Sequence, residues 1–421
     1  MAFRDIRKSQ SFLSLTDVGF ILGVGVVLIA LLYMNIYLAR TYKGGEWLYM
    51  RWTGARTFLF TDGEPYGSTI AERVQALAYG REAYLNEYPY ALNDPFYIVL
   101  LYMPLALFSD FTVVHGIWML LSQAAVVAIV VLSLRFAEWQ PPFWMLLLLI
   151  CFGLFNAFSI LALRAASPTV FLALIYLGIL VALQSGADEL AGALLFLVAY
   201  QWEVGTLFFL LIVILVIANR RWHVFIGFLM TLAILVITSI LLKSNWPINY
   251  IRAVLFDWAR QTDYIMGITL SYIFPELQLS LGRWLLFLTS TILCLEALRA
   301  IESHFRHIAW VAFLALALNP LIGFAIFPTN HIVLLPAGIL IVALVWERWT
   351  NIRALLSVLL LLLIFLFSHG LYYQSSTAPE RLYSDLLKIL PPMLAALGLY
   401  WMRWWAIRPP RIWADEIGTR K

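Results

Sequence analysis

The sequence has little charge. Only 12% of its 421 residues are Asp, Glu, Lys or Arg, whereas an ordinary soluble domain carries roughly 25%. Hydrophobic residues make up 63%, so long segments have no polar side chains to present to water. The formal charge of +4 is too small for an extended basic surface, which argues against nucleic acid as a partner. The composition therefore predicts an integral membrane protein whose partners include membrane lipids.

Cysteine is also scarce. Cys151 and Cys294 both lie inside apolar runs and have no cysteine or histidine at metal-ligand spacing. We expect both to pack as small hydrophobic side chains, and we predict no metal site and no cofactor. The sequence lacks internal repeats, low-complexity tracts and any polar segment long enough to fold as a soluble domain. Residues 1–403 are therefore predicted to form one transmembrane domain, and 404–421 a basic cytoplasmic tail.

What the sequence does contain is a series of apolar runs, and a helix needs about 20 such residues to cross a bilayer. The first run is expected to stay in place as a helix, because no small-residue cleavage site follows it. The predicted fold is all-α, with about twelve transmembrane helices. The runs lie near 18–39, 96–109, 112–134, 141–163, 168–184, 189–218, 222–242, 281–300, 307–326, 331–347, 354–372 and 386–403.

Lys and Arg in the short loops orient these spans. The N-terminus is placed inside because it carries Arg4, Arg7 and Lys8, and cytoplasmic loops are rich in such residues. Alternating passes then place Gln184–Glu189 and Pro328–Asn330, which lack Lys and Arg, on the outer side. The cytoplasmic side receives the arginine-rich loops with Arg220/Arg221, Arg299/Arg306, Arg348/Arg353 and Arg403/Arg408/Arg411.

This pattern predicts a multi-pass protein of the plasma membrane. Both termini are expected in the cytoplasm, and the two long loops, 40–95 and 243–280, outside. Arg135 falls on a short outer loop and is the exception to the rule. Four histidines, His115, His223, His304 and His307, are predicted on cytoplasmic loops or at span ends.

Most of the charge, aromatic surface and turn chemistry lies in the first outer loop, which makes this loop the expected site of function. Helical spacing of Trp47, Arg51 and Phe58 predicts a helix on the membrane surface that ends at Thr61-Asp62-Gly63. A second short helix is predicted over Thr69–Tyr79. In the other outer loop, Trp246-Pro247 is expected to open a third helix.

A set of short motifs along the chain resembles a known family. They are an acidic residue after Gly44-Gly45, the Ala55-Arg56 to Pro65-Tyr66 turn, Tyr88-Pro89, Met103-Pro104-Leu105-Ala106, Leu190 to Leu195, Arg220-Arg221-Trp222 and Asn245-Trp246-Pro247. In this order they resemble the polytopic GT-C class of glycosyltransferases, and within it glycosyltransferase family 87. Its members include polyprenyl-phosphate-mannose-dependent mannosyltransferases.

The resemblance implies an inverting sugar transfer on the outer face. A sugar, mannose for the family members named, would pass from a polyprenyl-phosphate donor to a hydroxyl of a lipid or glycan acceptor. An acidic residue of the first loop would act as the general base, and that position is Glu46 here, where the family usually has Asp. The chain departs again at Ala166-Ser167, where the family tends to have Gly-Gln, and at Gln201-Trp202-Glu203, where it tends to have Lys-Pro.

The acidic candidates also have simpler explanations. Glu46 could be an ordinary solvated loop acid, and Asp62 an Asx-type turn former before Pro65-Tyr66. Glu203 lies in the middle of an apolar run, where a carboxylate costs about 2.5 kcal/mol or more. It should therefore face a cavity or a polar partner; a buried polar patch with Gln201, or a broken helix, would also explain it.

A donor phosphate requires cations. Arginine is favoured because its fork-shaped guanidinium matches phosphate oxygens. The candidates to bind substrate are Asp62, Tyr66, Arg51, Arg56, Arg252, Arg260, His331, Glu203 and Gln201, with Lys43 and Arg381 as further cations. Most of these cations are expected to be interfacial residues that extend toward the headgroups, and His331 has no neighbours for a metal site.

Two other functions remain open on the sequence. One is a transporter or flippase of lipid-linked sugars, which paired intramembrane charges or inverted repeats would favour. The other is a catalytically silent family member that acts as a binding subunit. A nucleotide-sugar enzyme is disfavoured because the sequence offers no cytosolic domain to hold the nucleotide.

Overall fold

The computed structural model describes residues 15–61, 63–84, 87–88, 90–260, 278–301, 303–322, 327–377 and 381–407. Regular structure in these ranges is entirely helical. The α-helices are α1 (Leu15–Thr41), α2 (Glu46–Thr61), α3 (Ser68–Tyr79), α4 (Phe96–Leu101), α5 (Met103–Ala106), α6 (Phe111–Phe136), α7 (Phe143–Phe155), α8 (Ala157–Arg164), α9 (Thr169–Ser185), α10 (Asp188–Val198), α11 (Trp202–Ala218), α12 (His223–Leu242), α13 (Trp246–Arg260), α14 (Gln278–Ala300), α15 (Phe305–Leu318), α16 (Leu335–Arg348), α17 (Arg353–Thr377), α18 (Arg381–Trp401) and α19 (Arg403–Ala406). Turns of 3-10 helix cover Ala199–Gln201, Asn319–Ile322 and Pro328–Leu334.

The helices confirm an all-α polytopic membrane protein. Among the described residues, eight helical stretches are long and apolar enough to cross a bilayer, and α7 with α8, bent by 49°, would make a ninth. The twelve predicted spans are therefore not all found. Of the other three runs, 168–184 forms the 17-residue α9, 281–300 lies in the 23-residue α14, and 96–109 does not form a span.

The run at 96–109 was predicted to be the second span, but it breaks into α4, with six residues, and α5, with four. Pro104 lies in the first turn of α5, and a proline there cannot continue the helix that precedes it. Ten helical residues reach only about 15 Å, half of the roughly 30 Å hydrocarbon core. Accordingly α6 begins on the side where α1 ends, and Arg40 contacts Asp110 there at 3.6 Å.

The run at 189–218 was predicted to be a single long span, but it folds back on itself. Arg221, just after α11, donates to the carbonyl of Leu183 at 2.8 Å and pairs with Asp188, the first residue of α10. A straight helix over these 31 residues would separate its two ends by about 46 Å. The chain therefore turns at Ala199–Gln201, and α10 and α11 form a helical hairpin.

The missing span at 96–109 and the additional pass from the fold-back of 189–218 have opposite effects on helix direction, so the later helices keep their predicted direction. Helices α6 to α10 run in the opposite sense to the prediction, and the predicted sense is restored from α11 onward. The loop at Gln184–Glu189, predicted on the side opposite Arg221, therefore lies on the same side, because Asp188 pairs with that arginine. Arg135, the exception to the predicted orientation, moves to the arginine-rich end.

We call the two ends of the bundle the loop face and the basic face. The loop face carries α2 to α5 and α13, and the basic face carries Arg135, Arg221, Arg306 and Arg403. Contacts at the basic face include Arg306 with Glu347 at 2.9 Å and Arg403 with Glu296 at 2.8 Å. His115, predicted on the cytoplasmic side, is instead at the loop face, in the first turn of α6 with its ring stacked on Phe111.

The core of the bundle lies where α6, α9, α11, α15 and α16 meet, and Trp310 and Tyr176 are among its largest buried side chains. Small residues bring some helices close together. At Gly192, where α10 crosses α12, an added Cβ would collide with the carbonyl of Val224. This close crossing fixes the hairpin against the rest of the bundle.

Candidate functional site

The helix predicted in the first outer loop is confirmed as α2, but residues 50–55 are buried in protein, whereas the sequence predicted a helix on the membrane surface. The start of α2 is held against the end of α8. The Gly45 N–H donates to the Arg164 carbonyl at 2.8 Å, and the Trp47 N–H donates to the Ala165 carbonyl at 3.3 Å. Gly45 has a φ of 85°, which favours glycine, and an added Cβ would lie 2.9 Å from the Phe111 ring. Glu46, as the first residue of α2, therefore has a fixed position beside α8.

Glu46 has an unusual electrostatic environment for a loop acid. Its side chain is half-buried, and burial raises its pKa above the ordinary value. A hydrogen bond with its own backbone N–H and the positive charge of Arg164 act in the opposite direction. Its position at a helix N-terminus also favours negative charge. Glu46 is thus a carboxylate with raised basicity next to a cation.

Arg164 connects three elements at the loop face. Its Nε donates to the Lys43 carbonyl at 3.1 Å, and its Nη1 donates to the Tyr372 hydroxyl at 3.3 Å. The side chain remains exposed in spite of these contacts. A guanidinium in this arrangement can still offer an N–H group to an anion that approaches between α8 and α17.

A large apolar cavity lies inside the membrane region, between α7/α8, α16, α17 and α18. Its volume is about 490 Å³. The lining is almost entirely hydrocarbon, and its polar members, Asn156, His331 and Ser368, are all near the loop face. At the basic-face end the cavity reaches Trp349 and Trp401. Its length and chemistry fit a hydrocarbon chain.

The loop-face end of this cavity points toward Arg164 and Glu46. Ser368 lines the cavity, and Tyr372, the partner of Arg164, lies one turn further along the same face of α17, roughly 6 Å away. Phe158 lines the cavity from α8, and Arg164 follows it by six residues, roughly 9 Å along the helix. Neither Arg164 nor Glu46 lines the cavity; Arg164 lies beyond its loop-face end, and Glu46 lies close enough to Arg164 to feel its charge.

A second, smaller pocket of about 40 Å³ lies at the loop face, at the apex of the α10–α11 hairpin. It is polar and aromatic, and its lining residues are Trp47, Tyr88, Asn93, Asp94, Tyr200, Gln201, Trp202, Glu203, Tyr250 and Val254. The prediction that Glu203 borders a polar cavity is confirmed, and Gln201 lies in the same pocket. Trp47 follows Glu46 directly in α2, but Glu46 itself does not line the pocket.

The break at the hairpin apex explains how a carboxylate can stand there. Gly205 has a non-helical φ of −138°, which interrupts the hydrogen bonds of α11. The buried side chain of Asn319 replaces them, because its Oδ1 accepts from the Leu207 N–H at 2.9 Å and its amide donates to the Glu203 carbonyl. Of the simpler explanations for Glu203, the broken helix is the one found.

Arg51 and Asp94 form a buried ion pair under the first loop. The Arg51 Nε lies 2.6 Å from Asp94 Oδ2, and Nη2 donates to Oδ1 at 3.0 Å. The side chains are 1% and 5% exposed. Burial alone would lower the pKa of Arg51, but the charge of Asp94 raises it above the usual range. The pair joins α2 to the segment before α4, so the structure places Arg51 in a structural contact.

The other predicted substrate-binding residues are spread over the loop face. Arg56 donates to the carbonyls of Ala106 and Phe108, both at 2.9 Å, and so caps α5. The Tyr66 hydroxyl donates to the Asp94 carbonyl at 2.9 Å. Arg252 is exposed on α13. Asp62 and the side chains of Arg260 and Arg381 lie outside the described residues.

His331 is buried in the wall of the apolar cavity. Its Nε2 lies 3.2 Å from the Leu387 carbonyl, and its ring meets Phe158 edge to face. Across the described part of the chain, no three His, Cys, Asp or Glu side chains come together in a way that could hold a metal ion. The histidine is available to line a ligand site rather than to coordinate a metal with neighbours.

The sequence interpretation missed Asp94, Arg164 and Asn319. Asp94 stands between Asn93 and Pro95 and has the pattern of a turn, while Arg164 at the end of an apolar run has the pattern of an interfacial residue. Asn319 before Pro320 gives a helix-end pattern. Only contacts between residues far apart in the chain identify their roles.

Comparisons of this chain with family models, with curated proteins and with solved structures find no match.

Proposed function

We propose that this protein transfers a sugar from a polyprenyl-phosphate donor to a hydroxyl of a lipid or glycan acceptor at the loop face, with Glu46 as the general base. The acceptor O–H proton passes to the Glu46 carboxylate as the oxygen forms a bond to the anomeric carbon. The bond from that carbon to the donor phosphate oxygen breaks, and polyprenyl phosphate leaves. Mannose is the sugar we would test first.

The observation that carries this proposal is the 490 Å³ apolar cavity, with Arg164 beyond its loop-face end and Glu46 beside that arginine. A prenyl chain fits the hydrocarbon lining, and the phosphate then comes to the level of Arg164 and Tyr372. A sugar attached to that phosphate extends toward Glu46 and the polar pocket beside Trp47. The prenyl chain, the phosphate and the sugar would thus each lie beside residues of suitable polarity.

Glu46 suits a general base because its environment raises its basicity while a cation stays nearby. A base works best when its pKa approaches the working pH, and burial moves Glu46 in that direction. Arg164 would stabilise the negative charge of the leaving phosphate. The small polar pocket lined by Trp47, Glu203 and Tyr250 has room for a hydroxyl group of the acceptor, not for a whole sugar.

The arginine distribution favours a cytoplasmic basic face and an outward loop face. Exposed positions on each face can test this orientation. Ser68→Cys at the loop face is expected to react with a membrane-impermeant maleimide in intact cells, whereas Gln184→Cys at the basic face should react only after lysis. Both would be made in a Cys151→Ala/Cys294→Ala background.

The second position distinguishes the structure from the simple count of spans, which places Gln184 outside. Labelling of both positions in intact cells would contradict the fold-back of α10 and α11. Labelling of Gln184→Cys alone would invert the whole orientation.

The apolar cavity can be filled without crowding the protein. At Gly338, which lines the cavity on α16, an added Cβ meets no atom within 4 Å. Gly338→Leu is therefore expected to fold and to lose most binding of a polyprenyl phosphate, because its side chain occupies the space of the lipid chain. Binding would be measured with purified protein in nanodiscs and a radiolabelled polyprenyl-phosphate mannose.

Gly370→Leu is the matched control. Gly370 lies in α17, is exposed, and also has no atom within 4 Å of an added Cβ, but it does not line the cavity. The two variants change helix propensity equally. If Gly338→Leu binds the donor as well as Gly370→Leu, the cavity is not the donor site.

A transporter of lipid-linked sugars is the second candidate, because one of its expected features is present. Asp385 and Lys388 form a buried contact of 3.4 Å within the apolar stretch of α18. The pair lies in the first two turns, near the loop face, rather than at the middle of the bilayer where transporters bind substrates. Proteoliposomes that move a polyprenyl-phosphate sugar between leaflets without forming a glycoside would favour this function.

A further inference from the structure

Helix α13 has two opposite faces. On the inner face, Trp246 is buried, and Tyr250 and Val254 line the polar pocket. On the outer face, a stripe of Ile248, Ile251 and Leu255 is 57%, 55% and 56% exposed, so these large apolar side chains have little protein around them. Their spacing of three and four residues puts all three on one side of the helix.

The position of this stripe indicates what covers it. Helix α12 ends at Leu242, and its side chains Ile237 and Leu241 are exposed on a helix long and apolar enough to cross the membrane. Four residues later α13 begins, held at the membrane boundary by Lys243, whose Nζ lies 3.3 Å from Glu64. The exposed apolar side chains at the end of α12 are thus followed within a few residues by a second exposed apolar stripe, on α13.

We propose that α13 lies in the plane of the loop-face leaflet, with Ile248, Ile251 and Leu255 among the acyl chains. Arg252 is exposed on the adjacent flank, where it can reach lipid phosphates. An amphipathic helix with one apolar stripe and a cationic flank is suited to this position. The partner of this surface is a phospholipid leaflet, and the proposal does not depend on sugar transfer.

The position of α13 in the leaflet affects the polar pocket that Tyr250 and Val254 line. The wall formed by Tyr250 and Val254 is the back of a helix that the leaflet holds, so the pocket opens at the level of the lipid headgroups. A ligand carried by a membrane lipid reaches this level without leaving the bilayer. A water-soluble ligand has to approach it past Arg252 and the headgroups.

The test uses a fluorescent label whose surroundings can be read directly. The full chain, with Cys151→Ala and Cys294→Ala, would receive a nitrobenzoxadiazole label at Ile251→Cys or, as the matched control one residue away, at Arg252→Cys. Each protein would be placed singly in phosphatidylcholine/phosphatidylglycerol nanodiscs. Leu255→Cys serves as a second reporter if Ile251→Cys does not give monodisperse protein.

At position 251 we expect strong quenching by lipids that carry a doxyl group on the acyl chain. Reduction by aqueous dithionite should be several-fold slower at position 251 than at position 252. Reduction at position 251 as fast as that of a label in free solution would place the stripe in water and overturn the proposal. Slow reduction without doxyl quenching would also overturn it, because protein, such as residues 261–277 or a second copy, would then cover the stripe.

Discussion

Glu46→Gln is expected to lower the rate of sugar transfer by about 10²–10⁴-fold, the usual contribution of a general base. Glutamine keeps the size and hydrogen-bonding shape of the side chain but cannot accept the acceptor proton. Binding of the polyprenyl-phosphate donor should stay close to that of the wild type, because the cavity and Arg164 are unchanged. The measurement is transfer from polyprenyl-phosphate mannose by purified protein in nanodiscs, with donor binding measured in the same preparation.

The pH dependence of transfer gives an independent check on Glu46. Burial raises its pKa, and a base works only when it is deprotonated, so activity should fall on the acid side at a pH above the ordinary value for a glutamate. Arg164 opposes this shift by its charge. Arg164→Gln should therefore move the acid limb to still higher pH, which a purely structural role of Arg164 would not do.

Two further variants test whether the effect of Glu46→Gln comes from the loss of its basicity. Glu46→Asp should lose less activity than Glu46→Gln, because the basicity is kept and only the reach is shortened. Glu72→Gln, at an exposed position on α3, is the matched control and should leave transfer unchanged. If Glu46→Gln transfers sugar as fast as the wild type, Glu46 is not the base. A wild-type protein that binds the donor and never transfers it would support a silent binding subunit.

The second large effect concerns the buried pair of Arg51 and Asp94. Arg51→Met alone should destabilise the protein by about 3–5 kcal/mol, because the Asp94 carboxylate is then buried without its partner. Asp94→Leu alone should lower the stability by a similar amount, because the Arg51 guanidinium is then buried without its partner. The readout is the midpoint of thermal unfolding in detergent, followed by tryptophan fluorescence.

The double variant Arg51→Met/Asp94→Leu should recover most of the lost stability, since removal of both charges leaves no unpaired ion. The same variant shows whether the pair only stabilises the fold or also takes part in substrate binding. If the double variant folds and binds donor normally, Arg51 acts only as half of an ion pair. If it folds and loses donor binding, the Arg51–Asp94 pair takes part in donor binding, as the sequence analysis predicted for Arg51. A double variant as unstable as either single one would contradict the pairing argument.

The elements best predicted from the sequence are those that neighbouring residues determine. The helix that begins at Glu46, the short helix that ends at Tyr79 and the helix opened by Trp246 all form as expected. Spacing, turn residues and proline positions determine such elements within a few residues. The location of Glu203 beside a polar pocket was also predictable, because the cost of a buried carboxylate leaves few alternatives.

The topology was harder to predict from the sequence, because hydropathy reports the length and apolarity of a segment and does not detect a break in its helix. The run at 96–109 contains Pro104, and the run at 189–218 carries Gln201 and Glu203 near its middle, so both had signals against a straight helix. The second run is too long for one pass and short for two. Its return became visible only through the contact between Asp188 and Arg221, 33 residues apart.

The candidate site also depends on distant pairs. Arg51 and Asp94 are 43 residues apart, and Arg164 and Tyr372 are 208 apart. No local pattern joins them, since each is an ordinary residue in its own segment. The acid at Glu46 could be proposed from a resemblance, whereas the cation beside it required the packed structure.

The hairpin of α10 and α11 has a consequence for how the chain enters the membrane. Its 31 residues are apolar enough to be inserted as one pass, and in that case every later helix would enter upside down. The turn at Ala199–Gln201 thus decides the orientation of the whole second half. Asn319, which bridges the broken hydrogen bonds at Glu203 and Leu207, belongs to that second half and emerges over a hundred residues later. During synthesis the turn must therefore form before Asn319 can make its hydrogen bonds. Correct insertion then depends on local residues that favour the break.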